Sequence, residues 1–215
     1  MSTDPPSLTA GPVGDVLLEH VVDGSPELVE ELHPLIAEMV REGAALGWIE
    51  VPSRSEVGEL LADLVLASEH DDAALIVLRR RGSSESAGEA LGFAYWTRRE
   101  LETERPHADV GRIAISSRAR GGGLGRRLVE ELVSTAKAAG IEVLTLDVRG
   151  NNHAAMALYE RVGFVEYGRL ADYIAIEDER WDNVYYALDL RNDQHGGLVR
   201  HGDAPQGPGS SRLKP

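Results

Sequence analysis

The sequence predicts a single mixed α/β domain, and three observations carry that expectation. Short runs rich in Val, Ile, Leu and Tyr alternate with segments whose apolar residues recur at helical spacing. Glycine and proline punctuate the boundaries between them. Between residues 109 and 148 a strand, a helix and a second strand follow in order, as in a crossover between parallel neighbours.

Each element has a local reason. Val16 to Val22 reads as a strand. Ser25-Pro26-Glu27 opens a helix with a capping hydroxyl, a proline at the first helical position and an early acid. Leu28, Leu32, Leu35, Ile36, Met39 and Val40 continue it up to Gly43. Glu56 to Ser68, with Leu60, Leu61, Leu64 and Val65 on one face, is the second helix. Ala73 to Leu78 and Leu91 to Thr97 flank a Gly/Ser loop as a hairpin, and Asp109 to Ile115 is the next strand. Leu124 to Ala139 is an amphipathic helix closed by Gly140. Val143 to Val148 is apolar enough to be central, and Ala154 to Arg161 is a short helix ending before Gly163. Phe164 to Leu170 and Tyr185 to Leu190 are the last strands. Residues 1–14 and 192–215 are rich in Gly, Pro, Ser and Asp and have almost nothing to bury. They are expected to be disordered tails around a domain at 15–191.

Charge and composition narrow the function. The chain of 215 residues carries 36 acids against 22 lysines and arginines, a net charge of −14. Such a field opposes nucleic acid and anionic membrane surfaces and favours approach of a small cationic molecule. There is no cysteine, which excludes disulfides, a thiol nucleophile and thiolate metal sites. His195 and His201 lie in the tail without ligand spacing, so no metal is expected. Lys137, the one lysine of the body, falls mid-helix and argues against Schiff-base chemistry. No apolar run approaches the ~20 residues that span a bilayer, and the first residues lack a basic-then-apolar leader. A cytoplasmic location is the expectation.

The informative segment is Ile113 to Arg127, where a strand leads through Arg120-Gly121-Gly122-Gly123-Leu124-Gly125-Arg126 into a helix. Glycines let consecutive N–H groups converge, and the helix start and the arginines add positive charge, which together suit a pyrophosphate. A P-loop would need Lys and Ser/Thr at the helix start, and neither is present. A Rossmann site would use Asp147 on the next strand, yet its first glycine should follow the strand directly, and Ser116 to Arg120 intervene.

Arg120-x-x-Gly123-x-Gly125 resembles the acyl-CoA signature of the GNAT superfamily of N-acyltransferases. Asn152-x-x-Ala155-x-x-Leu158-Tyr159, continuing to Gly163-Phe164, resembles the same superfamily's downstream segment. Two motifs in the right order, separated by a helix and a strand, are a specific signal, although Ser117 stands where many members carry proline. The resemblance covers about Val16 to Leu190 and implies a mostly antiparallel six- to seven-stranded sheet with helices on both faces. It further implies acetyl-CoA as cosubstrate. The backbone of Ile113, Ala114 and Ile115 would pair with the pantetheine arm. Arg120, Arg126 and the amides of Gly121, Gly122, Gly123, Leu124 and Gly125 would hold the diphosphate. Asn152 and Tyr159, about 10 Å apart on one helical face, would follow the pantetheine, with Tyr159 as general acid to the leaving thiolate.

Within the superfamily, Val40 to Trp48 and Gly168 to Tyr173 resemble the tabtoxin-resistance and antibiotic-acetyltransferase branch. That likeness places catalytic acids at Asp109 and Asp147; His107, read as a surface loop residue, is a reserve candidate for the base. About one primary amine in a thousand is deprotonated at pH 7, an effective penalty of ~4 kcal/mol, so a base or a water relay is required. Trp48, Tyr95, Trp96 and Tyr173 are candidates to wall the pocket of an organic amine. The expected acceptor is a small cationic amine, antibiotic- or toxin-like, acetylated by direct transfer in a ternary complex. Acetylation of protein lysines or N-termini is the alternative within the class, and a non-catalytic acyl-CoA-binding regulator is the rival outside it. A homodimer is compatible with the resemblance.

Overall fold

The computed structural model describes residues 16–44, 46–81 and 88–191. The expected tails, with their two histidines, lie outside that range. Strand β1 (Val16–Val21) leads to helices α1 (Pro26–Arg41) and α2 (Arg54–Ser68). Strands β2 (Ala73–Arg80), β3 (Ala90–Arg98) and β4 (His107–Ile115) follow. Then come helix α3 (Leu124–Ala138), strand β5 (Val143–Arg149), helix α4 (His153–Val162) and strands β6 (Val165–Ile176) and β7 (Glu179–Asp189). The sheet has seven strands in the order β1-β2-β3-β4-β5-β7-β6. Every neighbouring pair is antiparallel except β4–β5.

Each face of the sheet buries its own core, because alternate residues of a strand point opposite ways. Leu75, Val77 and Phe93 pack under α1 and α2, with Leu32, Ile36 and Leu61. Ile76, Leu78, Ala94 and Trp96 pack under α3 and α4, with Leu128, Leu132 and Tyr159. Helices therefore lie on both faces, as the resemblance implied.

Some boundaries moved. Ser53 and Glu56 form a reciprocal capping box, so α2 begins at Arg54, two residues before the apolar pattern does. Strand β6 runs to Ile176 and β7 starts at Glu179, well outside the spans read from sequence. Strand β6 is an edge strand with mostly exposed side chains, so it carries no alternating apolar signal. Its register against β7 also breaks twice, at Glu166/Gly168 and at Leu170/Ile174.

Only three residue pairs join β4 to β5, ending at Asp109 opposite Thr145. A bulge explains why they part. Tyr95 of β3 faces Arg112, yet the next residue, Trp96, faces Val110, which leaves Gly111 as an extra residue in β4. A Cβ at Gly111 would sit 1.9 Å from the Tyr95 ring, so glycine is the residue that fits. Beyond the bulge β4 follows β3, β5 follows β7, and a wedge opens between them.

Candidate active site

The wedge continues into a cleft of three joined chambers. The first, about 270 Å³, lies over the glycine loop and includes Gly121, Gly123, Gly125, Arg126 and Arg161. The second, about 530 Å³, adjoins it at Gly121, Gly125 and Leu158 and runs between β4 and α4 along Ile113, Ala114 and Ile115. The third, about 390 Å³, shares Ile113, Arg149, Asn152 and Tyr159 with the second and ends among Trp48, Arg112, Asp147 and Ile174.

At the first end the backbone does the work. Gly121, Gly122 and Gly123 all take left-handed φ values, of 96°, 61° and 78°. A β-carbon is disfavoured there, which is why three glycines stand together. Gly123 caps α3 without a side-chain acceptor. Among the described residues, the amides of Gly122, Gly123, Gly125 and Arg126 have no backbone or side-chain acceptor. Unpaired N–H groups at the start of a 15-residue helix have the geometry that suits an anion, and Arg120 adds charge from the wall of the second chamber. Arg126 lines the first chamber but is also paired with Glu130 at 2.7 Å. Gly122 shapes the loop and lines none of the three chambers.

In the middle, the β5-facing edge of β4 from Val110 to Ile115 has no strand partner among the described residues. Asn152 caps α4, its Oδ1 accepting from the Ala155 amide at 3.3 Å. The capping and cleft-lining roles of Asn152 therefore coexist, since its side chain also carries an NH₂. Tyr159 is 8% exposed, packed against Phe164 and Tyr186, and lines the cleft where the second and third chambers meet. Burial, reinforced by the nearby Asp147 carboxylate, pushes its hydroxyl up to about 12. The phenol is thus neutral at any working pH.

The third chamber corrects several expectations. Asp147 is on its wall and exposed, free of side-chain hydrogen bonds among the described residues. Asp109 is not on the wall: Arg99 grips both its oxygens, at 2.9 and 3.1 Å, and the Thr145 hydroxyl donates to it. This carboxylate clamps the point where β4 and β5 part, its oxygens already engaged by Arg99 and Thr145. His107 begins β4 opposite Val143, at the closed end of the wedge.

Trp48 lines the chamber as expected, but Trp96 does not. It is 1% exposed in the α3-side core, and its Nε1 donates to the Thr135 hydroxyl at 2.9 Å. Tyr95 points to the opposite face and is buried under α1. Tyr173 is 62% exposed beside the chamber, in the irregular stretch of β6, whereas Ile174, Ala175 and Ile176 form the wall.

Sequence reasoning missed two arginines. Arg112, a charge within the otherwise apolar second half of β4, lies with its Cζ 3.9 Å over the Trp48 ring. Arg149 ends β5 and reaches the Gly43 carbonyl across the cleft at 3.3 Å. A charge inside an apolar stretch of strand and a charge at the end of a strand were the available signals.

The acetyltransferase (GNAT) family model matches residues 35–164. An IAA acetyltransferase of Azospirillum brasilense is 31% identical over 47% of this chain and 61% of its own length. The [ribosomal protein bS18]-alanine N-acetyltransferase of Escherichia coli K12 is 37% identical over 39% of this chain and 56% of its own. The chain thus spans about 60% of the length of these curated relatives. Among solved structures, a GNAT-family acetyltransferase from Streptococcus pneumoniae superposes with a TM-score of 0.69 at 22% identity, over 82% of this chain and all of that one. A phosphinothricin acetyltransferase from Sinorhizobium meliloti, solved in complex with AcCoA, gives 0.68 at 20% identity over 81% and 88%. With the seven-stranded sheet, the parted β4 and β5, and both sequence motifs in their places, the chain belongs to the GNAT acetyltransferase family.

Proposed function

We propose that this protein transfers an acetyl group from acetyl-CoA to the primary amine of a small molecule, directly and within a ternary complex. The observation that supports this best is the continuity of the cleft, from the unpartnered amides at the start of α3, past Tyr159, to Asp147. The residues present fit the cosubstrate. A diphosphate suits the glycine-loop amides and Arg120, and an extended amide-bearing chain suits the unpaired edge of β4 and the Asn152 amide group. Acetyl-CoA supplies a thioester whose carbonyl carbon bonds the amine nitrogen as its carbon–sulfur bond breaks.

The chain's own groups then have separate tasks. Asp147, directly or through water, takes the proton that the ammonium must lose. A β4 amide beyond the bulge faces the wedge and offers the developing oxyanion a fixed donor, an interaction that typically contributes ~3 kcal/mol. Tyr159 keeps its proton. Passing it fully to a thiolate of pKa ~8.5 from a phenol near 12 is uphill by about 5 kcal/mol, so Tyr159 serves as a hydrogen-bond donor to the leaving sulfur.

The test is direct. Acetyl-CoA should bind with measurable heat and raise the melting temperature, and free thiol should appear only when an amine is added. No heat and no protection would overturn the reading. Thiol release with peptides alone would move the acceptor to a protein N-terminus or lysine, the reading favoured by likeness to the bS18 enzyme.

A further inference from the structure

We infer that the amine acceptor also carries a carboxylate, held by Arg112, so that the substrate is an α-amino acid or a close analogue. This rests on the proposed acetyl transfer and adds to it the charge pattern of the acceptor.

Acids outnumber lysines and arginines by 36 to 22 in this chain, and many of its arginines are paired with them. Arg79, Arg98, Arg99 and Arg105 each hold an aspartate or glutamate. Arg112 does not. Its Nε donates to the Leu46 carbonyl at 2.6 Å and its Nη1 to the Tyr95 hydroxyl, and the Trp48 ring covers its flat face. All three partners are uncharged: burial holds the Tyr95 phenol above its ordinary pKa, outweighing the pull of Arg112. Arg149, the other arginine of the third chamber, likewise binds only neutral acceptors, Asn151 Oδ1 and the Gly43 carbonyl. A half-buried guanidinium with no counter-ion among the described residues, in a strongly acidic protein, suits an anion.

The surroundings fix what that anion is attached to. Three contacts lock the fork, while Nη2 has no acceptor among the described residues. Gly47, at φ 78°, is the neighbour whose Cβ would come within 3.6 Å of Nη2, and as glycine it leaves the approach open. Asp147 supplies the opposite charge on the wall of the same chamber. At about 390 Å³ the chamber is at the small end of ligand sites, sized for a compact molecule. A zwitterion satisfies both charges at once. It also carries no net charge, so the −14 field of the protein does not repel it.

The experiment offers the full-length chain and acetyl-CoA a panel of L-α-amino acids. Each is paired with its primary amide and with the amine that lacks the carboxyl group, and thiol release is followed. At least one acid should exceed both of its partners by 100-fold or more in kcat/KM. Arg112→Gln should cut that ratio at least 10-fold and raise the acceptor KM, with acetyl-CoA affinity unchanged. Arg112→Lys, which keeps charge but loses the fork, should fall between. The substrate pairs need no variant, so a poorly folding mutant leaves the test intact. If the amides or plain amines react as well as the acids, or if amines react and no acid does, the inference is overturned while the acetyl-transfer reading stands. If acetyl-CoA itself fails to bind, that reading fails first.

Discussion

The two ends of the cleft are built from different materials. The end over α3 is backbone: three glycines in left-handed conformations and a helix start whose amides lack acceptors. The other end, proposed to take the acceptor, is side chains drawn from four separate places: Trp48 after α1, Arg112 on β4, Asp147 on β5 and Ile174 on β6. A backbone site requires particular residues in one short stretch. A side-chain site requires only that distant positions meet, and the positions themselves remain free to vary. The difference predicts that substitutions at the first end abolish binding, whereas those at the second reshape kinetics.

The largest effect is therefore expected at Gly123→Asp. Aspartate is among the residues that tolerate a left-handed φ, so the loop survives, but a negative charge then sits where a diphosphate belongs. Acetyl-CoA affinity measured by calorimetry should fall at least 100-fold, about 3 kcal/mol. The melting temperature of the unliganded protein should stay within a few degrees. Retained affinity would mean that the loop does not hold the cosubstrate.

This contrast also explains what could be read from the sequence. The glycine loop and the Asn152–Tyr159 helix were legible because each is a local pattern with a local purpose. Trp96 was misread because alternation along β3 shows only that Trp96 and Tyr95 face opposite ways; which face α3 covers is settled by the tertiary fold, and that does not show in the residue's neighbours. Asp109 was placed correctly at the start of β4, yet its ion pair with Arg99 spans ten residues across a turn and was invisible. Arg112 was overlooked for the same reason. Its meaning lies in Trp48 and Leu46, which approach from another layer of the fold.

Next in size is Tyr159→Phe. Removing the hydroxyl should slow turnover at least 10-fold, about 1.4 kcal/mol, with acetyl-CoA affinity held within two-fold. Because the native phenol titrates only near 12, the wild-type pH–rate profile should show no descending limb from it below pH 10. The sign for stability follows from the same shift. The neutral phenol favours the folded state fully below pH 10, and that contribution is lost as pH rises through about 12. The phenylalanine variant should lack this part of alkaline unfolding. An unchanged turnover would remove Tyr159 from the chemistry and leave it a packing residue.

A smaller and conditional effect is expected at Asp147→Asn. At pH 7 the variant should lose about 10-fold in kcat/KM, less than the ~100-fold or more typical of a general base because water can relay the proton in its place. The deficit should shrink towards pH 9, where about a tenth of an amine of pKa ~10 is already free. A deficit that stayed constant with pH would assign Asp147 to holding the acceptor and not to taking its proton.

The smallest kinetic effect belongs to Trp96, and it separates wall from core. Its ring is 1% exposed and faces α3, so Trp96→Phe should leave the acceptor KM and kcat within two-fold. The cost should appear in stability. The variant loses the indole's hydrogen bond to the Thr135 hydroxyl and part of a large buried ring. Thr135 still donates to the Leu132 carbonyl at 2.8 Å, so no donor is orphaned and the penalty stays near 2 kcal/mol. For a chain of this size that corresponds to a melting temperature lower by roughly 4–8 °C. Trp48→Leu should behave in the opposite way, with little change in melting and a raised acceptor KM, because it uncovers the Arg112 guanidinium within the cleft. If the two tryptophans exchanged these signatures, the face assigned to β3, and with it the location of the acceptor chamber, would have to be reversed.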